Sequence, residues 1–227
     1  MSNKVGEEKQ RGGAGRPLVP RLRFPEFRDA GEWKKKKLGD LVTFFKGKWL
    51  PKSEILKSGE TPCIHYGEIF TVYSEVITNV ISRTDSKKDI FLSLANDVLM
   101  PTSDVTPSGL AKASCLKLGN IILGGDILII RANQKVISSE FLARQIRYLE
   151  QQVLKLVSGT TVFHLYSSAI EKLKVCFSDI KEQQKIADCL SSLDDLITAQ
   201  AQKVDVLKTH KKGLMQQLFP VLDNTPG

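Results

Sequence analysis

Apolar residues along this chain follow two rhythms. From about residue 20 to 178 they come in short clusters bounded by turn residues. The segments "CIHYGEIF" (63–70), "DVLMPTS" (97–103), "ASCLKL" (113–118), "DILIIRA" (126–132) and "LKVCF" (173–177) are rich in Ile, Val and Leu and predict strands. In "SSEFLARQIRYLEQQVLKLVSG" the period changes. Phe141, Leu142, Ile146, Leu149, Val153 and Leu156 or Val157 recur at helical spacing. Ser138 or Ser139 suits the start and Gly159 the end, so a helix over 138–157 is predicted. This zone, 20–178, predicts an α+β globular domain of short strands and helices.

From residue 179 the apolar positions repeat every seven residues. Asp179 and Glu182 have the spacing of a capping box that opens a helix. No Gly or Pro follows until Gly213 and Pro220. One seam holds Leu190, Ile197, Val204 and Leu218, with Lys211 as its polar exception. The other holds Ile186, Leu193, Leu207 and Leu214, with Gln200 as the exception. Such an alternating seam faces a second helix, and its polar positions set register rather than strength. At 1.5 Å per residue a helix over 179–218 is about 60 Å long, too long for its own small domain to cover. A coiled coil made by a spacer helix over 179–219 is therefore expected, against the plainer alternative of a helix lying on its own core. Residues 1–19, Gly-rich and charged, are expected to be disordered, and 220–227 to form a flexible tail.

The composition narrows the class. A length of 227 residues with 41% hydrophobic residues suits one core plus an extended element. No apolar run approaches the ~20 residues of a membrane span, and the polar N-terminus lacks the apolar stretch of a secretory signal, so a cytoplasmic location is expected. Cys63, Cys115, Cys176 and Cys189 form no C-x-x-C pair, and Cys63 with His65 makes only half a metal site. Buried reduced thiols are the simpler expectation. The formal charge of +8 points to a polyanion, yet its distribution is uneven: residues 1–37 carry 11 basic and 5 acidic side chains, and 38–178 carry 16 and 13. Charge alone leaves nucleic acid and an interaction surface equally open.

Catalytic signatures are missing. Gly47-Lys48 is followed by Trp49 and has no upstream Gly in the P-loop position; G-x-G-x-x-G and G-x-S-x-G stretches are also lacking. Asp85-Ser86-Lys87 and Asp179-Ile180-Lys181 match the tail of one nuclease motif, a three-residue coincidence that common residues produce by chance. Ser167, His164 and Asp104 could be drawn as a triad, but no spacing supports it. No catalytic, cofactor-binding or metal-binding residues are assigned.

Four segments occur in order: "PRLRFPEF...GEWKKKKLGDLV" (20–42), "IHYGEI" (64–69), "GTTVFHLYSSAIEKLKV" (159–175) and "EQQKIADCLSSLDDLI" (182–197), the last joined to a helix ending "KKGLMQQLF". Together they resemble the specificity subunit of type I restriction-modification systems, over nearly the whole chain from residue 20. The resemblance implies a DNA target recognition domain (20–178) followed by a spacer helix, with no catalysis of its own. It implies double-stranded DNA, modification (methyltransferase) subunits and restriction/translocase subunits as partners, with S-adenosylmethionine, ATP and Mg carried by those partners and none by this chain. The family's usual subunit has two recognition domains and two spacer helices; here there is one of each. The family's junction before the helix is proline-rich, whereas "CFSDIKEQ" has no Pro. A single-repeat chain would find its partner helix on a second copy of itself and read a bipartite palindromic site as a homodimer. The alternatives are a coiled-coil scaffold with incidental basic charge, or a nuclease.

DNA contacts are expected at three polar loops. "FKGKW" offers Lys46 and Lys48 around a Gly for phosphate contact. "PTSDVTPSGLAK" offers Thr102, Ser103, Asp104 and Lys112, with hydroxyls and one acid suited to base edges. The third, "GTTVFH", offers Thr160, Thr161 and His164.

Overall fold

The computed structural model describes residues 17–220. The expected disorder of the N-terminus up to residue 16, and the expected tail from 221, lie outside the described residues. The strands are β1 (Lys34–Lys37), β2 (Val42–Lys46), β3 (Thr61–Ile64), β4 (Val76–Ile77), β5 (Arg83–Thr84), β6 (Asp97–Pro101), β7 (Ser103–Asp104), β8 (Ser114–Leu116), β9 (Ile122–Leu123), β10 (Ile127–Ala132), β11 (Phe163–His164) and β12 (Lys174–Phe177). The helices are α1 (Tyr66–Thr71), α2 (Ser139–Tyr148), α3 (Glu150–Leu154), α4 (Ser167–Ile170) and α5 (Ile180–Leu218). The fold is α+β, a mixed domain carrying one long C-terminal helix.

The central sheet has the order β2-β10-β6-β8-β4, antiparallel except for β4 beside β8. Its middle strands are apolar on both faces because both faces are covered. Val98, Met100, Leu128 and Ile130 point toward α2 and pack with Leu142 and Ile146. Leu99, Ile127 and Ile129, one residue out of phase, pack with Ile64, Ile69 and Leu123 on the other face. A smaller sheet, β5-β3-β9, covers that second face. Asp97 opens β6 with a carboxylate only 1% exposed, held by both branches of Arg131 at 2.8 Å. Arg131 in turn lies over the Phe45 ring, 4.7 Å from its centroid.

Three expectations are corrected. The strand expected over 63–70 ends at Ile64, and residues 66–71 form α1. His65 caps it: its Nδ1 accepts from Gly67 N–H at 3.2 Å while Glu68 accepts from His65 N–H at 2.7 Å. That capping box turns Ile69 into the core, where an extended strand would leave the helix-spaced Tyr66, Ile69 and Phe70 on different faces. The helix expected over 138–157 breaks at Leu149 and stops at Leu154, which lets the second piece bend round and bury Val153 completely. Gly159 therefore caps no helix; it holds φ +113°, where a Cβ would run into the Val162 carbonyl. Asp179 caps α5 through Lys181 N–H at 2.9 Å, but Glu182 does not complete a box. It turns inward and takes a two-pronged ion pair from Arg23 at 2.7 Å. The thiols also divide: Cys63 and Cys115 are buried, and burial pushes both up to about 11, whereas Cys176 is half-buried and Cys189 is exposed on α5.

α5 is rooted by polar contacts. Gln183 accepts from Ser138 N–H and donates to the Val136 and Ser178 carbonyls. Further along, Arg144 reaches Asp194 and Ser191 at 2.8 Å, and Ser191 donates to Glu140 at 2.6 Å. The junction without proline is thus stiffened by side chains that grip the first four turns. Of the predicted seam, Ile186 packs on the domain. Leu190, Leu193, Ile197, Val204, Leu207, Leu214 and Leu218 are between 38% and 73% exposed, a stripe without a covering element among the described residues.

Candidate nucleic-acid interface

The sheet register decides which loops meet. Lys46 pairs opposite Leu128 and Pro101 opposite Ile127. The end of β2, the end of β6 and the start of β10 therefore share one edge of the domain. α5 is rooted at the other end of β10, through Val136 and Ser138.

Asp126, with φ 59°, sits at this shared edge. Its backbone carbonyl accepts from Thr102 N–H at 2.8 Å, and its carboxylate lies 3.4 Å from the Thr102 hydroxyl and 3.7 Å from Lys46 Nζ. Lys48 pairs with Asp89 at 3.0 Å. Gly47 between the two lysines is required: its N–H donates to Ile127 O at 3.0 Å, and a Cβ there would collide with the Gly124 carbonyl. Both lysine pairs are open to solvent, and such pairs contribute at most about 1 kcal/mol. An incoming phosphate can displace either carboxylate.

The second and third loops are zipped into one unit. Ser103 pairs with His164 and Asp104 with Phe163 in the β7–β11 ladder. Leu165 N–H donates to Thr102 O at 2.9 Å, and Ser158 and His164 exchange bonds of 3.0 and 2.7 Å. Thr160 and Thr161 stand exposed at the tip between them. Asp104 holds its own turn, accepting from Val105 N–H at 2.7 Å and from the Thr106 hydroxyl at 2.8 Å. His164 stacks on the exposed Tyr166, with centroids 6.0 Å apart and planes 27° from parallel. Among the described residues no hydrogen bond joins Ser167, His164 and Asp104. Lys112, in the same loop, donates its ammonium to the Phe70 carbonyl at 2.7 Å, at the end of α1.

An open cleft of about 910 Å³ lies beside this unit, between Tyr66 and Phe70 on one side and Asp104, Val105 and Arg147 on the other. Its aromatic wall does not follow from a strand over 63–70; the signal for it is the His-x-x-Glu box at 65–68. Asp126 was missed as well, although "GGD" before an apolar run marks a tight turn. Among the described residues no three His, Cys, Asp or Glu side chains gather closely enough to hold a metal ion. No described helix is long and apolar enough to cross a membrane.

The comparisons with known proteins agree on one family. The family model for the type I restriction modification DNA specificity domain matches residues 30–209. The type I restriction enzyme MjaVIII specificity subunit of Methanocaldococcus jannaschii is 26% identical over 201 residues, covering 87% of this chain and 43% of that protein. Among solved structures, the S subunit of a type I restriction-modification system from M. genitalium superposes with a TM-score of 0.61 at 17% identity, over 89% of this chain and 48% of the other. The HsdS subunit from Thermoanaerobacter tengcongensis gives 0.52 at 16% identity, over 80% and 41%. At these identities the structural likeness speaks for the fold. The chain spans about half the length of the relatives it matches. With the family match running across both the mixed domain and most of α5, the chain belongs to the type I restriction modification DNA specificity domain family.

Proposed function

We propose that this chain is the DNA-reading part of a type I restriction-modification assembly, without catalysis of its own. The observation that carries the reading is the convergence of the polar loops at the sheet edge opposite the root of α5, in a chain of a DNA specificity family. Lys46 and Lys48 approach phosphates once their exposed acidic partners are displaced. Thr102, Ser103, Asp104, Lys112, Thr160, Thr161 and His164 face one half-site, the hydroxyls and the acid toward base edges. The methyl donor S-adenosylmethionine belongs to modification subunits, and ATP with Mg to restriction subunits. α5 pairs with the α5 of a second copy, so that two recognition domains read a bipartite palindrome. The support for pairing is the exposed heptad stripe.

Co-expression with a modification subunit followed by methylome sequencing tests this. An adenine-methylated, two-part palindromic motif is the expected result. Absence of sequence-preferring DNA binding at about 200 mM salt, where nonspecific binding is weak, overturns it and leaves the exposed stripe of α5 to a scaffold role. Within that assay, Lys48→Ala should weaken binding to all sequences and reduce the salt slope by about one. Thr102→Ala or Asp104→Ala should instead relax the base preference at one position.

A further inference from the structure

We propose that the β1–β12 ribbon is a second DNA-backbone surface, separate from the reading loops; this rests on the DNA reading above. β1 is four consecutive lysines, all exposed. It pairs antiparallel with β12, Lys35 opposite Cys176 and Lys37 opposite Lys174. Directly opposed residues of an antiparallel pair share a face, so Lys35, Lys37 and Lys174 project together, and with Lys36 and Asp40 they line one shallow concavity. Lys34 and Lys36 lie opposite Phe177 and Val175 on the core side and reach solvent by their long stems. Among the described residues none of these five lysines forms an ion pair.

Two features point to a phosphate backbone. First, like charges placed directly opposite on a ribbon are destabilising, and Lys37 against Lys174 is left without a carboxylate bonded to either. By contrast Lys46, Lys48 and Lys112, the sequence-nominated cations, each have a partner. Second, the exposed face is built from lysine with no arginine and no aromatic anchor. Protein interfaces are poor in Lys and take their energy from Trp, Tyr and Arg; point-charge contact to phosphate needs only ammonium groups. The ribbon is also within reach. Nine Cα-to-Cα steps connect Leu165, bonded to Thr102, with Lys174, a path of at most about 32 Å. That separation is no longer than one duplex turn, about 34 Å.

The test is the full chain carrying Lys35→Gln, Lys37→Gln and Lys174→Gln, titrated with duplex DNA from about 50 to 200 mM salt. The slope of log affinity against log salt should fall by about 2.7, at 0.9 per phosphate, with sequence preference unchanged. An unchanged slope in a variant that binds as the parent does overturns the proposal while leaving the DNA reading intact. The same holds if the slope is unchanged and assembly with the modification subunit is lost. A parent chain that binds no DNA sinks the reading itself. Should the triple variant fail to fold, Lys37→Gln and Lys174→Gln singly must each lower the slope by about one.

Discussion

Single residues here act through the bonds they satisfy. Asp97 is a buried carboxylate at the start of β6, matched by Arg131. Arg131→Met should destabilise the domain by about 3–5 kcal/mol, because it strands a buried charge; denaturant unfolding measures it. Asp97→Asn in the same background should recover part of the loss. His65 offers a pH handle. Burial lowers its pKa below 6.5, with Lys52 adding to the effect and Glu68 and Asp126 opposing it. The neutral ring is the one that caps α1, so its contribution is present above about pH 6.5 and is lost as pH falls below that value. His65→Asn keeps a capping acceptor and should flatten the stability profile between about pH 5 and 7. Thermal melts across that range give the answer. The imidazole's importance was legible only as an oddity next to Cys63; that it caps a helix depends on Glu68 closing the box from three residues away.

At the scale of elements, the long helix was the clearest feature of the sequence and is the clearest feature of the fold. A seven-residue pattern with only Gln200 and Lys211 as polar exceptions, free of Gly and Pro from 180 to 212, has no competing structure. The break at Leu149 was not legible, since the apolar period runs straight through it. What bends α2 into α3 is the space beside the core that Val153 fills. The exposed stripe of α5 yields a prediction of association. Ile197→Asp, 67% exposed in the single chain, should leave the domain folded. Burying an Ile on each of two copies is worth about 3–6 kcal/mol, so the dimer should weaken by at least about 100-fold. Sedimentation at micromolar concentration reads this directly, and a parent chain that stays monomeric would refute the pairing.

For the whole molecule, the helix sets a length. Thirty-nine residues rise about 58 Å. Two antiparallel copies would hold their recognition domains no more than about 17 base pairs apart, at 3.4 Å per pair. Inserting one extra heptad after Gln200 keeps the seam in register and adds about 10.5 Å. The preferred gap between half-sites should widen by about three base pairs, as selection from a randomised-gap duplex library would reveal. The prediction requires a stiff joint, and Arg23–Glu182, Gln183 and Arg144–Asp194 supply one. Loosening it with Gln183→Ala should broaden the range of tolerated gaps rather than shift its centre.

Period, charge and residue order by themselves determined the long helix, the α+β class, the family resemblance and the polar loops. These are properties of neighbours along the chain, where spacing of 2, 3.6 or 3.5 residues carries the physics. Tertiary structure decided what lies together. The sheet register brings Lys46, Thr102 and Asp126 to one edge, and the β7–β11 ladder fuses two loops separated by about sixty residues. It also places Lys174 opposite Lys37, so that a lysine run at one end of the domain and a lone lysine near the other become one charged face. Pairings of this kind depend on register between distant strands, which is set by the core they jointly bury and leaves no periodic trace in either segment.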